Sequence, residues 1–367
     1  MSGSTYGTIF SITTWGESHG NGIGTVVDGC PAGLLLDEQY IQDYLNRRKP
    51  GQTRYSTPRK EEDKVSILSG VFEGRTTGTP ISLVVFNENQ RSGDYSKIAS
   101  YYRPGHADYT FDQKYGFRDH RGGGRSSGRE TIGRVAAGAI ACAVLRELGI
   151  KVRAYTKAIG PISANMDTAK IDNASLSPLS MPDLDASARA EEYLKQQMED
   201  YNSVGGIIEC IVTGMPAGIG EPVFDKLDAS LAKAVMSIGA IKGIEIGAGF
   251  QAASLMGSEN NDSFEYDEAS NLVKKTNHAG GILGGMSDGS DIILRAAVKP
   301  TPSIFRPQQT VNKDKENVEI QIKGRHDPII VPRAVVVVES MVAITLVDQL
   351  FVGMASRMDR IREFYRK

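Results

Sequence analysis

Residues 118–150 read RDHRGGGRSSGRETIGRVAAGAIACAVLRELGI. The change of character part-way along this stretch decides the first structural reading. From about 129 to 148 it is a helix. Ile132, Val135, Ala136, Ala139, Ile140, Ala143 and Leu148 recur at helical spacing, and Gly149 supplies the C-terminal stop. The part before it has no periodicity. Five arginines between Arg118 and Arg134 stand against two acids, Asp119 and Glu130, in a frame of glycine and serine. A Gly/Ser loop running into a helix N-terminus offers free backbone N–H groups and the positive end of the helix dipole to an anion. Arginine adds a planar fork that matches phosphate and carboxylate. The loop is neither a Walker A loop nor a Rossmann fingerprint, because the glycine spacing and the Gly-Lys-Ser/Thr ending are missing.

Working outward, strands are expected at 6–13, 23–28, 65–68, 81–86, 152–159, 206–213, 241–246 and 292–298. Asp37 caps a helix that runs to about Arg48 and stops at Lys49-Pro50-Gly51. Further helices are expected at 191–201 and 224–238. Residues 331–351 form a buried helix despite their valines. Residues 87–128 read as one long irregular loop, and a loop of that length inside a compact chain is usually functional. Residues 161–190, rich in Ser, Asp and Pro, read as an exposed excursion. The pattern is mixed α and β of the α+β kind. The two halves correspond loosely, a hint of duplication, and the expectation is one large domain over 1–367.

Composition narrows the class. The chain has 367 residues, 40% hydrophobic and 23% charged, which excludes disordered, collagen-like and coiled-coil chains. Lys plus Arg number 42 against 44 Asp plus Glu, a net charge of -2. A general nucleic-acid binder is expected to be basic, so an RNA-binding use of 118–134 is disfavoured. Three cysteines, Cys30, Cys142 and Cys210, have no CxxC spacing, so no disulfide framework or metal site is expected. The opening residues carry no signal-peptide pattern, and the apolar run 135–145 is too short to span a bilayer. The expectation is a cytoplasmic protein. Glycine is the unusual feature, at 40 residues, well above the usual ~7%. The glycines cluster at 20–24, 122–124, 239–249 and 280–285, which suggests a site where backbone comes close to a ligand.

The five histidines, His19, His106, His120, His278 and His326, all sit beside Gly, Arg or Asp in irregular segments. Each alone reads equally well as a hydrogen-bonded surface residue. Together they point to a polar cleft with groups able to give a proton near neutral pH. A second basic stretch, 44–60, carries Arg47, Arg48, Lys49, Arg54, Arg59 and Lys60 and no acid. Asp327, between Arg325-His326 and Pro328, is either an ion-paired turn residue or a base. The residues by themselves support an enzyme acting on a small polyanion, and they do not name the reaction.

Six ordered motifs carry a resemblance. They are Gly16-Glu17-Ser18-His19-Gly20, 103–108, 121–131, His278-Ala279-Gly280-Gly281-Ile282, 299–303 and Gly324-Arg325-His326-Asp327-Pro328. Together, over about 6–350, they resemble chorismate synthase. The resemblance implies a layered β-α-β sandwich with helices packed between antiparallel sheets. It implies a homotetramer and the conversion of 5-enolpyruvylshikimate 3-phosphate to chorismate and phosphate, the last common step of the shikimate pathway. The elimination is 1,4 with anti geometry. It requires reduced FMN without net redox change, with NADPH as one source of the reducing equivalents. By the same resemblance, His19 protonates the departing phosphate, His106 supports the reduced flavin, and Asp327 assists deprotonation. Ser18 and Ser127 accompany them. Arg125, Ser126, Ser127, Gly239, Ala240, Gly284, Lys299, Pro300, Thr301, Pro302, Ser303 and Arg325 are implied to hold the flavin. Arg48, Arg54, Arg129 and Arg134 are implied to hold the substrate or an NADP phosphate. A flavin- or nicotinamide-dependent oxidoreductase is the alternative, and the missing Rossmann fingerprint counts against it.

Overall fold

The computed structural model describes residues 3–51, 55, 61–87, 99–322 and 327–366. Arg54, Arg325 and His326 therefore lie outside the described residues. Two five-stranded antiparallel sheets enclose a layer of helices. The first runs Thr5–Tyr6, Ser11–Gly16, Gly22–Asp28, Ile81–Phe86, Val65–Ile67 in spatial order. The second runs Ile162–Ser163, Lys151–Ile159, Gly206–Thr213, Ile292–Val298, Ile241–Ile246. The helices are α1 (Glu38–Arg48), α2 (Asp108–Tyr115), α3 (Thr131–Glu147), α4 (Leu184–Glu199), α5 (Leu227–Met236), a single turn α6 (Gly257–Asn260), α7 (Val331–Val352) and α8 (Met358–Tyr365).

Strands of the expected kind form because their residues alternate. In Ile292–Val298, Ile292, Leu294, Ala296 and Val298 are buried against the helices, while Ile293, Arg295 and Ala297 face outward. Each helix starts and stops for a local reason. Asp37 caps α1 by accepting from the Tyr40 N–H at 2.8 Å. Pro332 lies in the first turn of α7, where its missing N–H costs nothing. In α7 the run Val335–Val338 is helical against its propensity, because nearly every side chain from Val335 to Gln349 is buried. Its mean hydropathy reaches 2.0, and it is long enough to cross a membrane. Its place is the middle of the protein, where 83% of its most apolar window is buried. Ser340 and Thr345 satisfy their hydroxyls by donating to the carbonyls of Val336 and Met341, each at 2.7 Å.

The two sheets share one topology. Ser11–Gly16, Gly22–Asp28, α1, Val65–Ile67, Ile81–Phe86 and α3 correspond in order and pairing to Lys151–Ile159, Gly206–Thr213, α5, Ile241–Ile246, Ile292–Val298 and α7. The hint of duplication is thus a property of the fold. α3 and α7 pack on each other at the centre. A Cβ on Gly138 would lie 2.2 Å from the Ser340 Cβ and 2.6 Å from its Cα, so only glycine lets the helices approach this closely.

Some expectations are revised. The first strand breaks at Gly7, which has φ +98°. The loop after Ile81–Phe86 contains α2. The segment 161–190 is not a free excursion. Leu179, Met181, Ala186 and Ala190 are fully buried, and the expected helix at 191–201 begins earlier, at Leu184. Part of its Ser and Asp content serves local hydrogen bonds. Asp183 accepts from the Ala186 N–H, and Ser177 and Ser187 bond each other at 2.7 Å.

The helix contact yields a prediction. Gly138→Ala should destabilise the protein by about 1–3 kcal/mol, although alanine is the better helix former. Urea unfolding reads this directly, and an unchanged or raised midpoint would contradict the packing account.

Candidate active site

Ser11–Gly16 and Gly22–Asp28 are joined by a short loop that carries Ser18 and His19. The strand ends approach so closely that a Cβ on Gly16, which has φ +85°, would lie 2.2 Å from the Gly22 carbonyl oxygen. Asn87 pins the loop by donating from Nδ2 to the carbonyls of Glu17 (3.0 Å) and Gly20 (2.8 Å). Buried Ser18 places its Oγ 3.1 Å from the His19 Nδ1. The glycine-rich loop lies directly on the imidazole, since a Cβ on Gly122 would sit 2.1 Å from Nδ1. Here the first glycine of the loop has a stated physical purpose.

The same loop then turns into α3. Ser127 is extended and its Oγ accepts from the Arg129 N–H at 3.3 Å. Ser126 donates to the Gly123 carbonyl. Arg125 lies along the end of Ser11–Gly16. It donates to the carbonyls of Gly16 (3.2 Å) and Thr14 (3.1 Å) and to the Thr14 hydroxyl (2.7 Å).

Arg129 and Arg48 share a partner. Arg48, only 2% exposed, donates from Nη2 to the Asp63 Oδ2 at 2.5 Å, and Arg129 donates from Nη1 to the Asp63 Oδ1 at 2.9 Å. Arg129 also pairs with Glu61, and its Nε donates to the Asn87 Oδ1 at 2.7 Å. Burial pushes the Asp63 carboxyl pKa up, but the two guanidiniums outweigh it and hold it below the usual carboxylate value. The Nε of Arg48 is buried and has no hydrogen-bond partner among the described residues. Arg134 is used differently. It pairs with Glu130 at 2.9 Å and donates to the Ser237 hydroxyl and carbonyl, bracing α3 against the end of α5.

Asp327 stands next to this group. Its Oδ2 accepts from the Arg333 Nη1 at 2.6 Å, and the Arg333 Nε donates to the Arg48 carbonyl at 3.1 Å. The next residue, Pro328, accepts from the Val204 N–H, and the neighbouring Ser203 donates to the Thr301 carbonyl at 2.6 Å. That leads to the second group. His106 Nε2 and Ser303 Oγ are 2.8 Å apart, and Lys299 Nζ donates to the Gly105 carbonyl at 2.9 Å. A Cβ on Gly105, which has φ +72°, would lie 2.7 Å from Pro302. Burial, with a smaller effect of the Lys242 charge, draws the Lys299 ammonium pKa down. Lys299 N–H donates to the Ala240 carbonyl, which places Gly239-Ala240 beside this turn.

The His106 loop is fixed from behind. Asp108 accepts from the Arg103 N–H (3.0 Å), Nε (2.8 Å) and Nη2 (2.7 Å), and forms an ion pair with Arg118 at 2.6 Å. Burial raises its pKa, but these donors bring it down to about 2.

Thus Ser18, His19, Arg48, Arg125, Ser127, Arg129 and Asp327 form one linked group, with His106, Gly239, Ala240 and Lys299 to Ser303 beside it. Gly284 is not part of it within one chain. Gly285 packs on Lys226 at the start of α5, whereas Gly239-Ala240 follows its end. The ten residues between span about 15 Å. Sequence reading missed Asp63, Asn87 and Arg333. The Glu61-Glu62-Asp63 run directly after the basic stretch reads as a solvated acidic run and does not single out Asp63.

Comparison with known proteins bears on this arrangement. A family model described as chorismate synthase matches residues 10–351. The chain belongs to the chorismate synthase family. It is 69% identical over 367 residues to a chorismate synthase of Lachnoclostridium phytofermentans, covering all of both chains. It is 54% identical over 354 residues to one of Methanococcoides burtonii, covering 95% of this chain and 96% of the relative. A solved structure titled "Crystal Structure of Chorismate Synthase" superposes with a TM-score of 0.77 at 30% identity. The match covers 98% of this chain and 96% of that one. The family gives a lyase of aromatic amino acid biosynthesis acting on a small molecule, as the ordered motifs imply.

The Asp108 cluster predicts an acid-side effect. A folded pKa of about 2, below the ordinary 3.8, gives stability that is present above about pH 4 and lost as pH falls toward 2. The stability gap between the protein and Asp108→Asn, measured by urea unfolding, should therefore narrow steadily below about pH 4. A gap that widened there would contradict the assignment.

Proposed function

We propose that the linked group around His19, Arg48, Arg129 and Asp327 is the catalytic chamber of this lyase. There, phosphate is eliminated from 5-enolpyruvylshikimate 3-phosphate to give chorismate. The observation that carries the reading is convergence. Residues 18, 48, 129 and 327, from four separate segments, are joined by short hydrogen bonds through Asn87, Asp63 and Arg333. A substrate with one phosphate and two carboxylates needs several fixed cations, and Arg48 and Arg129 supply them. His19, with Ser18 on Nδ1, stands ready to give a proton to the departing phosphate.

The second group suits reduced FMN. The Thr301 hydroxyl is buried and has no hydrogen-bond partner among the described residues, in a turn that also offers Lys299 and Ser303. That combination of donors suits an anionic cofactor such as a flavin mononucleotide. When bound, the flavin supplies the electron density that the elimination needs, with no net redox change. His106 and Ser303 would hold its ring, Lys299 and Thr301 its polar groups, and Asp327 the proton lost from the substrate. Arg125, Ser126, Ser127, Pro300, Pro302, Gly239 and Ala240 would wall the pocket. Arg134 reads better as a brace than as a phosphate ligand. A homotetramer would let Gly284 serve a neighbouring copy's site. Phe224 and Phe250, 92% and 82% exposed near that end, favour such burial. We place the enzyme in the cytoplasm.

The direct test uses the purified chain, substrate and reduced FMN without oxygen, following chorismate absorbance and phosphate release. Chorismate should form with the flavin left reduced. No product from folded protein would end the proposal. Consumption of one reductant per turnover would favour an oxidoreductase. Supplying NADPH and oxidised FMN instead tests whether the chain reduces its own flavin.

Two substitutions sharpen the roles. His19→Ala should slow turnover on the order of 100- to 10,000-fold with FMN affinity nearly intact. Gly122→Ala should reproduce part of that loss by displacing the ring, and wild-type rates in both would remove His19 from the mechanism. Asp327→Asn should bind both ligands and turn over poorly; full activity would make it a structural ion-pair residue.

A further inference from the structure

Asp63 has an unusual combination of features. It is the residue just before Lys64 and the strand Val65–Ile67, its side chain is fully buried, and its φ is +49°, a left-handed conformation seldom adopted by residues other than glycine. The conformation is held from outside. Gln42 on α1 donates from Nε2 to the Asp63 carbonyl at 3.3 Å, and its Oε1 accepts from the Val65 N–H at 3.0 Å. The effect is to aim one carboxylate inward, between two guanidiniums that arrive from different elements.

Each oxygen takes one of them. Oδ2 holds Arg48, from the last residue of α1, and Oδ1 holds Arg129, from the turn before α3. Two cations this close repel unless a fixed anion lies between them. The arrangement extends beyond the pair. Arg129 passes to Asn87, and Asn87 holds both ends of the Ser18-His19 loop. Arg48 also donates to the Gly128 carbonyl (3.3 Å) and the Thr131 hydroxyl (3.4 Å), and keeps its buried Nε unspent.

We propose that Asp63 is a positioning residue for the lyase reaction: its carboxylate sets the spacing of the Arg48 and Arg129 guanidiniums, so that the anionic groups of the substrate meet a preformed pair of cations. This rests on the reading of the chamber given above. Asp63 touches neither substrate nor cofactor, and it acts through the two arginines.

The test compares the full-length protein with Asp63→Asn and Asp63→Glu. Asp63→Asn keeps shape and an acceptor but removes the charge, and should raise the KM for substrate about 10- to 100-fold. kcat should change much less, and the affinity for oxidised FMN, read by fluorescence, should stay within about twofold of wild type. Asp63→Glu keeps the charge and displaces it by one methylene, so its KM should lie between the two. An unchanged or lower KM in Asp63→Asn would overturn the proposal. So would a parallel loss of FMN affinity by the same factor, which marks general collapse. Should Asp63→Asn fail to fold, Asp63→Glu decides alone: a raised KM with kcat kept supports the role, and a wild-type KM refutes it. A wild-type chain without lyase activity would sink the reading of the chamber instead. Isothermal titration of inorganic phosphate into the same proteins then decides the role of Asp63. Weaker phosphate binding in Asp63→Asn supports it, and equal or tighter binding overturns it.

Discussion

Everything in this fold rests on the close approach of α3 and α7. The contact is made by Gly138 against Ser340, with no room for a Cβ. It fixes the distance between the two sheets, since α3 packs on the first and α7 on the second. It also fixes how the loops leading into those helices meet. Arg48 reads both junctions: its side chain reaches Thr131 in the first turn of α3, and its carbonyl accepts from Arg333 in the first turn of α7. A shift between the helices would separate the two groups of candidate residues.

The second constraint is electrostatic. A chamber for a polyanion must hold cations without ligand present, and buried like charges are costly unless fixed carboxylates offset them. The protein sets carboxylates among its arginines: Asp63 between Arg48 and Arg129 with Glu61 also on Arg129, Glu130 beside Arg134 and Arg125, Asp108 and Asp112 at Arg103 and Arg118, and Asp327 at Arg333. This explains why a strongly cationic loop coexists with a formal net charge of -2. It also explains why part of the arginine content is structural. Arg134 and Arg118 hold elements together.

What the sequence reveals follows the range of the interactions. The α3 helix, the Asp37 cap and the alternating strands depend on neighbours a few residues away, so they are legible. The glycine and histidine clusters are legible as well, because each is local. Asp63 is not. Its meaning lies in partners 15 and 66 residues away, and nothing in Glu61-Glu62-Asp63 distinguishes it from a solvated acidic run. Arg333 is hidden for the same reason, with its contact to Arg48 spanning 285 positions. The segment 161–190 misleads through composition. Asp183 is spent on capping and Ser177 and Ser187 on each other, while Leu179 and Met181 enter the core.

The shared topology of the halves gives the site its logic. In each half a long connection follows the fourth strand, its described residues being 87 and 99–130 before α3 and 299–322 and 327–330 before α7. These equivalent loops carry most of the candidate residues, His106, Arg125, Ser127 and Arg129 in one, Lys299 to Ser303 and Asp327 in the other. They also pack on each other. His106 meets Ser303, the Tyr102 N–H donates to the Val311 carbonyl, and the Lys313 N–H donates to the Ser100 carbonyl. A duplicated scaffold places the same connection twice around one central helix pair, so the two copies lie side by side. Divergence between the copies then suffices to separate roles. The first copy holds the arginine-rich start of α3, and the second holds the Lys-Pro-Thr-Pro-Ser turn. His19, on a hairpin present in compact form only in the first half, lies against Gly122 of the first copy.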